Sequence, residues 1–124
     1  MALVRDNVFR DNIERAIQPL LARGFSIFEV REWPQHQDLI VELKSSDLLL
    51  RFISERGQQF LDVAVVGKPG WYSLSELLAA AGLRSLDRPF DTAEVAANDF
   101  EQNERAVRDF LADDGRRAQL VARP

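Results

Sequence analysis

The chain contains one histidine and no cysteine, which limits the chemistry that its side chains can perform. Without thiols it cannot form disulfides, zinc–thiolate sites, iron–sulfur clusters or a cysteine nucleophile. Asp38 follows His36 by two positions and could orient the imidazole as a general base. However, the sequence places no nucleophile beside this pair, and no metal-ligand spacing gathers the carboxylates. We therefore predict no catalytic, metal-binding or cofactor-binding residues.

Three charged residues lie within successive segments whose apolar residues recur every second position. Glu42, Arg51 and Asp62 share one face if these segments pair as neighbouring antiparallel strands. We expect Arg51 to lie opposite Asp62, with Glu42 diagonal to Arg51. Charge ladders of this kind are common on solvated sheet faces, so a structural role is favoured over the alternative, a polar recognition site.

The alternation itself predicts a four-stranded antiparallel meander over residues 25–33, 38–44, 47–55 and 58–66. A two-residue turn at Arg56-Gly57 places Phe52 opposite Leu61 and matches two further apolar pairs. A turn at Ser45-Ser46 and a loop over residues 34–37 continue the pattern upstream. The apolar face so formed is predicted to contain Phe28, Val30, Leu39, Val41, Leu43, Leu48, Leu50, Phe52, Leu61, Val63 and Val65.

Helices are predicted on both sides of these strands in the sequence. Residues 5–23 have helical spacing of apolar side chains and end before Gly24, with a bend expected at Pro19. Ser73 to Glu76 fits a capping box that opens a short helix, which Gly82 can close. A further helix begins near Thr92, extends to about Asp113 and stops at Gly115.

These elements give an α+β fold in the order α-β-β-β-β-α-α, with an N-terminal helix and two C-terminal helices. A length of 124 residues with 46% apolar and 29% charged content predicts one domain, residues 1–115, followed by a flexible tail, residues 116–124. Charges interrupt the N-terminus before a signal sequence can form, and no apolar run reaches transmembrane length. We expect a cytoplasmic protein without a membrane partner.

The acidic residues are concentrated near the C-terminus. Between Asp87 and Asp114, nine acids stand against three arginines, within a chain of net charge −4. This asymmetry argues against nucleic-acid binding and predicts a basic protein partner, for which Glu101 and Glu104 are candidate contacts.

The second sheet face supplies another candidate surface. Unless a helix covers them, this face is predicted to expose the apolar residues Trp33, Ile40, Leu49, Ile53 and Phe60. Such a mixed apolar surface is typical of protein binding. Together with the charged residues named above, the candidate partner-binding set is Trp33, Glu42, Arg51, Ile53, Phe60, Asp62, Glu101 and Glu104.

The runs LLARGFSIFEV, LLLRFISERGQQFLDVAV and WYSLSELLAAAG share features with a group of known domains. Over about residues 13–82 the chain resembles small bacterial domains, some of them described as immunity proteins of polymorphic toxin systems. The resemblance implies a non-catalytic binder of a cognate toxin, and it transfers no functional residue.

We therefore expect a non-catalytic protein-interaction module without a cofactor, of the immunity-like inhibitor kind, that binds a basic partner. The first alternative is a small-molecule-binding or enzymatic domain with a cleft near Arg51, Asp62, Trp71 and His36. The second is a structural homodimer that buries Trp33, Ile53 and Phe60 or pairs the edge of the fourth strand.

Overall fold

The computed structural model describes residues 8–33, 35, 38–56, 58–84 and 92–123. The elements in chain order are α1 (Val8–Leu21), β1 (Ser26–Trp33), β2 (Asp38–Lys44), β3 (Leu48–Glu55), β4 (Gln58–Val65), β5 (Tyr72–Ser73), α2 (Leu74–Ala80), α3 (Ala93–Gln102), α4 (Glu104–Ala112) and α5 (Asp114–Arg117). The predicted α+β class is confirmed: along the chain, an N-terminal helix is followed by an antiparallel sheet and then by C-terminal helices. His36 lies outside the described residues.

Among the described residues, the sheet contains five strands in the order β1-β2-β3-β4-β5, and every neighbouring pair is antiparallel. The prediction of four strands was therefore wrong by one. Tyr72 pairs with Val63 and Ser73 with Asp62, which adds β5 beside β4. A strand of two residues is too short to show alternation, so the sequence gives no sign of it.

The predicted register between β3 and β4 is confirmed. Phe52 lies opposite Leu61, and Arg51 lies opposite Asp62. The last pair joins Glu55 to Gln58, so two residues connect the strands as expected. Gly57 lies outside the described residues, but Arg56 has a φ of +50°, in the left-handed region.

The predicted register between β2 and β3 was wrong by two residues, because the turn lies one position later than expected. Leu43 pairs with Leu50, not with Leu48. The Ser45 N–H donates to the Leu48 carbonyl at 2.9 Å, and the Ser45 hydroxyl accepts from the Leu48 N–H at 3.1 Å. These bonds place the turn at Ser46-Asp47. A shift of two residues returns each side chain to its own face, so the core is unaffected.

A β-bulge interrupts the pairing of β1 with β2. Val30 lies opposite Val41 as predicted, but the register shifts between Ile27 and Glu29, so that Ile27 replaces Phe28 opposite Leu43. The assignment of Phe28 to the core was therefore wrong, because 59% of this residue is exposed. The Lys44 ammonium nitrogen lies 5.5 Å from the centroid of its ring.

One hydrophobic core lies between the helices and a single face of the sheet, here called the core face. Among the described residues, the apolar side chains of the opposite face do not belong to this core. The ring of Phe25 packs edge-to-face against that of Phe100 in α3, with 5.9 Å between the two ring centroids. The largest completely buried side chains come from both layers and are Ile13, Ile17, Leu20, Leu39, Leu43, Leu50, Phe52, Leu61, Leu74, Leu77, Leu78 and Phe100.

α1 continues through Pro19 and ends at Leu21. The C-terminal helices differ from their predictions at two points. The helix expected between Thr92 and Asp113 is interrupted at Asn103, whose side-chain amide donates to the Asp99 carbonyl at 2.9 Å. Gly115 lies inside α5 instead of ending the preceding helix. The expected cap of α2 is present, since the Ser73 hydroxyl accepts from the Glu76 N–H at 3.3 Å. None of the described helices is both long and apolar enough to cross a bilayer.

Residues 116–123, which we expected to form a flexible tail, contact the rest of the fold. Leu120 packs against the core. Arg123 and Trp71 form an antiparallel bridge, with N–O distances of 2.8 and 2.9 Å. This segment therefore extends the sheet beyond β5 at one residue.

The positive φ of Arg56 generates the first prediction. A non-glycine residue costs about 1 kcal/mol in this conformation, and asparagine tolerates it better than arginine. We expect Arg56→Asn to raise the free energy of unfolding by roughly 0.5–1 kcal/mol in urea denaturation and Arg56→Val to lower it. Arg56→Lys is the control and leaves it unchanged. An Asn variant no more stable than the parent would contradict the prediction.

Candidate functional site

The sheet face opposite the core, here called the open face, bears an apolar strip with one residue from each of the first four strands. Ile40 of β2 lies opposite Ile53 of β3, which lies opposite Phe60 of β4. Trp33, at the end of β1, pairs with Asp38 beside this row. Cross-strand neighbours on one face are close enough for their side chains to touch, so these four side chains form a continuous surface.

Solvent reaches this strip. Trp33 and Phe60 are each 40% exposed, whereas Phe52 and Leu61 on the core face are 0% and 1% exposed. Ile40 and Ile53 are half-buried. Three of the predicted partner-binding residues, Trp33, Ile53 and Phe60, are thus brought together on one accessible face.

A charged row runs beside the apolar strip, two residues further along the strands. Arg51 Nη2 donates to Asp62 Oδ2 at 3.0 Å, and the two side chains are only 13% and 1% exposed. Glu42 lies directly opposite Arg51 instead of diagonal to it, because of the two-residue shift described above. Its ion pair is nevertheless with Arg31, whose Nη2 donates to Oε1 at 3.0 Å. The predicted row is therefore divided into two separate pairs.

Two residues distant in sequence, Trp71 and Arg123, contact the ion pair of Arg51 and Asp62. The guanidinium carbon of Arg51 lies 4.3 Å from the centroid of the Trp71 ring, a cation–π geometry. Arg123 Nη1 lies 3.7 Å from Asp62 Oδ1, and its Nη2 lies 3.8 Å from Glu76 Oε1. The buried carboxylate of Asp62 is thus compensated by two guanidinium groups. Sequence reasoning missed Arg123, because no local pattern links it to Asp62.

The proposed small-molecule cleft is not formed by these residues. Arg51, Asp62 and Trp71 do converge, but they pack on one another, and neither of the two cavities described below is lined by them. Asp62 Oδ1 and Arg51 Nε are buried without a hydrogen bond. In the described part of the chain, no group of three or more histidine, aspartate and glutamate side chains could hold a metal ion.

Two of the cavities lined by described residues open on different parts of the surface. One is a groove of about 270 Å³ on the open face, lined by Trp33, Asp38, Ile40, Ile53, Ser54 and Glu55. The other, of about 370 Å³, lies between the end of α2 and α4, and Leu83, Phe110 and Arg116 contribute to its walls. The first cavity contains residues of the apolar strip.

Folding pairs many acids of the C-terminal region with bases from other segments. Glu94 binds Arg15 at 2.7 Å, and Asp99 binds Arg84 at 3.2 Å. Lys68 lies 3.5 Å from Asp114. The acidic run in the sequence is therefore not a uniformly acidic surface in the fold.

The two candidate acids of this region are less available than we expected. Glu104 is only 22% exposed and pairs with Arg23 at 2.8 Å and with Arg108 at 3.0 Å. Glu101 is half-buried, and its Oε1 atom is inaccessible to solvent. Neither residue lies on the open face, so the structure does not bring them together with the other candidates.

Arg108 also connects α4 to the turn between β2 and β3 through Asp47. The hydrogen bond from Arg108 lowers the pKa of Asp47 below its ordinary value, and the hydrogen bond from Ser45 lowers it further. A carboxyl group whose pKa is lowered in the folded state contributes stability above its unfolded pKa and loses it as the pH falls through the folded value.

Comparisons with protein-family models, with curated proteins and with solved structures find no match to this chain. The resemblance to immunity proteins therefore remains a hypothesis.

The buried ion pair generates the second prediction. Asp62→Asn leaves the largely buried Arg51 without its carboxylate, and Arg51→Met leaves the buried Asp62 with only the longer contact of 3.7 Å to Arg123 Nη1. We expect each to lower the free energy of unfolding by about 3 kcal/mol. The double variant should lose much less than the sum, because no unpaired charge remains between the two positions. Denaturant titrations of the four proteins measure this coupling. Arg15→Ala, which removes the exposed pair with Glu94, is the control and changes stability little; additive losses would contradict the prediction.

The third prediction concerns Asp47. We expect Arg108→Gln to raise the pKa of Asp47 towards its ordinary value, as measured by NMR titration of the side-chain carboxyl carbon. The stability contributed by the pair should be lost below about pH 4 in the parent protein and should be missing from the variant. Arg105→Gln removes the same charge from an exposed position of α4 and should not move this pKa. Equal titration curves for parent and Arg108→Gln proteins would refute the assignment.

Proposed function

We propose that the protein is a non-catalytic protein-interaction module whose open sheet face binds a partner protein. The observation that carries this proposal is the accessible apolar strip formed by Trp33, Ile40, Ile53 and Phe60. Helices cover the core face, whereas this face keeps two large aromatic residues two-fifths exposed.

The composition of the open face supports protein binding. Protein interfaces typically combine an apolar centre, often with aromatic anchors, and a polar rim. Trp33 and Phe60 supply the aromatic anchors at two ends of the strip, and charged residues such as Glu42 and Arg31 border it. The buried pair of Arg51 and Asp62 would act from below, by keeping the strands rigid, and would not contact the partner directly.

The partner is proposed to be basic, in keeping with an inhibitor of the immunity type. Such an inhibitor requires only shape and charge complementarity, so the absence of a predicted catalytic group is compatible with it. The acids relevant to binding are those beside the strip, Asp38 and Glu55, because Glu104 is already engaged by two arginines and Glu101 is half-buried.

A small-molecule-binding domain is the second candidate. One observation favours it: Asp62 Oδ1 and Arg51 Nε are buried without hydrogen bonds next to Trp71. A ligand would have to displace Arg123 to reach these atoms. The homodimer is the third candidate, but β5 occupies the outer edge of β4, so self-association would have to use the open face or β1.

The fourth prediction tests the open face. A partner isolated from an extract of the source organism by affinity capture, then identified and purified, is titrated against the parent protein and two variants. Phe60→Ser should weaken binding at least about tenfold, since truncated aromatic anchors commonly cost 2 kcal/mol or more. Val95→Ser removes a residue of similar exposure, 43% against 40%, from the helical side and should leave binding unchanged.

The same proteins separate the alternatives. Equal affinity of the Phe60→Ser and Val95→Ser variants would reject the open face. A dimer in light scattering that Phe60→Ser dissociates would replace the proposal with self-association. Asp109→Lys reverses an exposed acid of α4, and a large loss in association rate for this variant would restore the acidic helix as the binding surface.

A further inference from the structure

The groove on the open face combines apolar walls with carboxylates at its border. Ile40 and Ile53 are opposite one another on neighbouring strands and form its floor, and the half-exposed Trp33 forms one wall. Asp38 and Glu55 also line it. A volume of about 270 Å³ is smaller than the usual pocket for a drug-sized ligand, so the groove matches a single side chain better.

The two carboxylates that line the groove, those of Asp38 and Glu55, can accept hydrogen bonds. Glu55 is exposed, and its carboxylate has no ion pair within the described part of the chain. Asp38 uses one oxygen, Oδ1, to accept from the Arg56 N–H at 3.2 Å. Ser54 is also beside the groove, but its side chain alternates with those of Ile53 and Glu55 and lies on the core face with Leu39 and Gln59, so its hydroxyl does not face the groove.

We propose that this groove binds an arginine side chain presented by the partner protein, an inference that rests on the proposed function. The two carboxylates exclude an anionic group and favour a cation. The apolar floor accommodates the aliphatic stem of a long basic side chain. A guanidinium group stacks on an indole ring and donates to carboxylates with its planar set of N–H groups, which an ammonium group cannot do.

The two carboxylates of the groove, those of Asp38 and Glu55, lie beside the apolar strip near Trp33. Phe60 supplies the apolar contact at one end of the strip, and the groove, with Ile40 and Ile53 as its floor, lies at the end nearest Trp33. A partner segment with an arginine beside apolar residues would engage both parts of the surface. The apolar strip then supplies most of the affinity, and the groove supplies the selectivity for a basic segment.

The test uses Nα-acetyl-arginine amide as the probe and the ¹H–¹⁵N spectrum of the whole protein as the readout. The chain has two tryptophans, and only Trp33 lines the groove. We expect the indole N–H signal of Trp33 to shift in a saturable manner, while that of Trp71, which is packed on Arg51, stays in place. Nα-acetyl-citrulline amide has the same shape without the charge and should bind about tenfold more weakly.

Variants assign the binding to the groove. Glu55→Gln should lower the affinity for the arginine probe by roughly three- to fivefold, the amount expected for one exposed ion pair. Asp109→Asn removes a distant exposed acid, controls for net charge and should not change the affinity. Equal binding of the citrulline and arginine probes, tighter binding of Nα-acetyl-lysine amide, or shifts at Trp71 alone would overturn the inference.

This experiment requires no partner, so its failure is distinguishable from failure of the proposed function. The arginine probe could fail to bind while Phe60→Ser still weakens binding of the purified partner. In that case the open face remains the interface, and the groove does not bind an arginine side chain. If the probe binds and Glu55→Gln also weakens the partner by a similar factor, the groove and the interface are the same site.

Discussion

The pairing of β3 with β4 determines the content of both faces of the sheet. Since successive side chains of a strand point to opposite faces, the register that buries Phe52 with Leu61 also places Arg51 with Asp62 on the open face. A slip of β4 by one residue would turn Asp62 towards the helices, separate it from Arg51 and turn Leu61 out of the core. The hydrophobic core and the charged row are thus two results of one alignment, and neither can change without the other.

The parts of the fold that the sequence predicts are those that depend on near neighbours. The β3–β4 hairpin has strong alternation on both strands, and Ser73 caps α2 through a hydrogen bond three residues away. Elsewhere, side chains form hydrogen bonds with the nearby backbone and change the structure that the apolar pattern predicts. The hydrogen bonds of Ser45 move a turn by one residue, and Asn103 interrupts a helix whose apolar spacing continues without a break. Contacts between distant segments, such as that of Arg123 with Asp62, leave no periodic signal at all.

The open face was predictable for the same reason as the core, since both come from one alternation, and Trp33, Ile53 and Phe60 lie where the strands were expected to place them. The acidic region was not. Its charge was read from the linear sequence, whereas the folded surface also contains Arg15 and Arg23, which α1 and the turn after it bring against that region. Net charge along a segment therefore says little about the field around it until the packing of distant basic residues is known.

The bulge at Phe28 affects how the sheet meets other chains at its free side. Among the described residues, β1 is the outermost strand there, and the free edge of an eight-residue strand is a template for aggregation by strand addition. An incoming strand would have to match a backbone that the extra residue has bent and twisted. It would also bring its own side chains against the exposed charges of Glu29 and Arg31. The residue that left the core thus helps to keep the chain from polymerising along its own hydrogen-bonding edge.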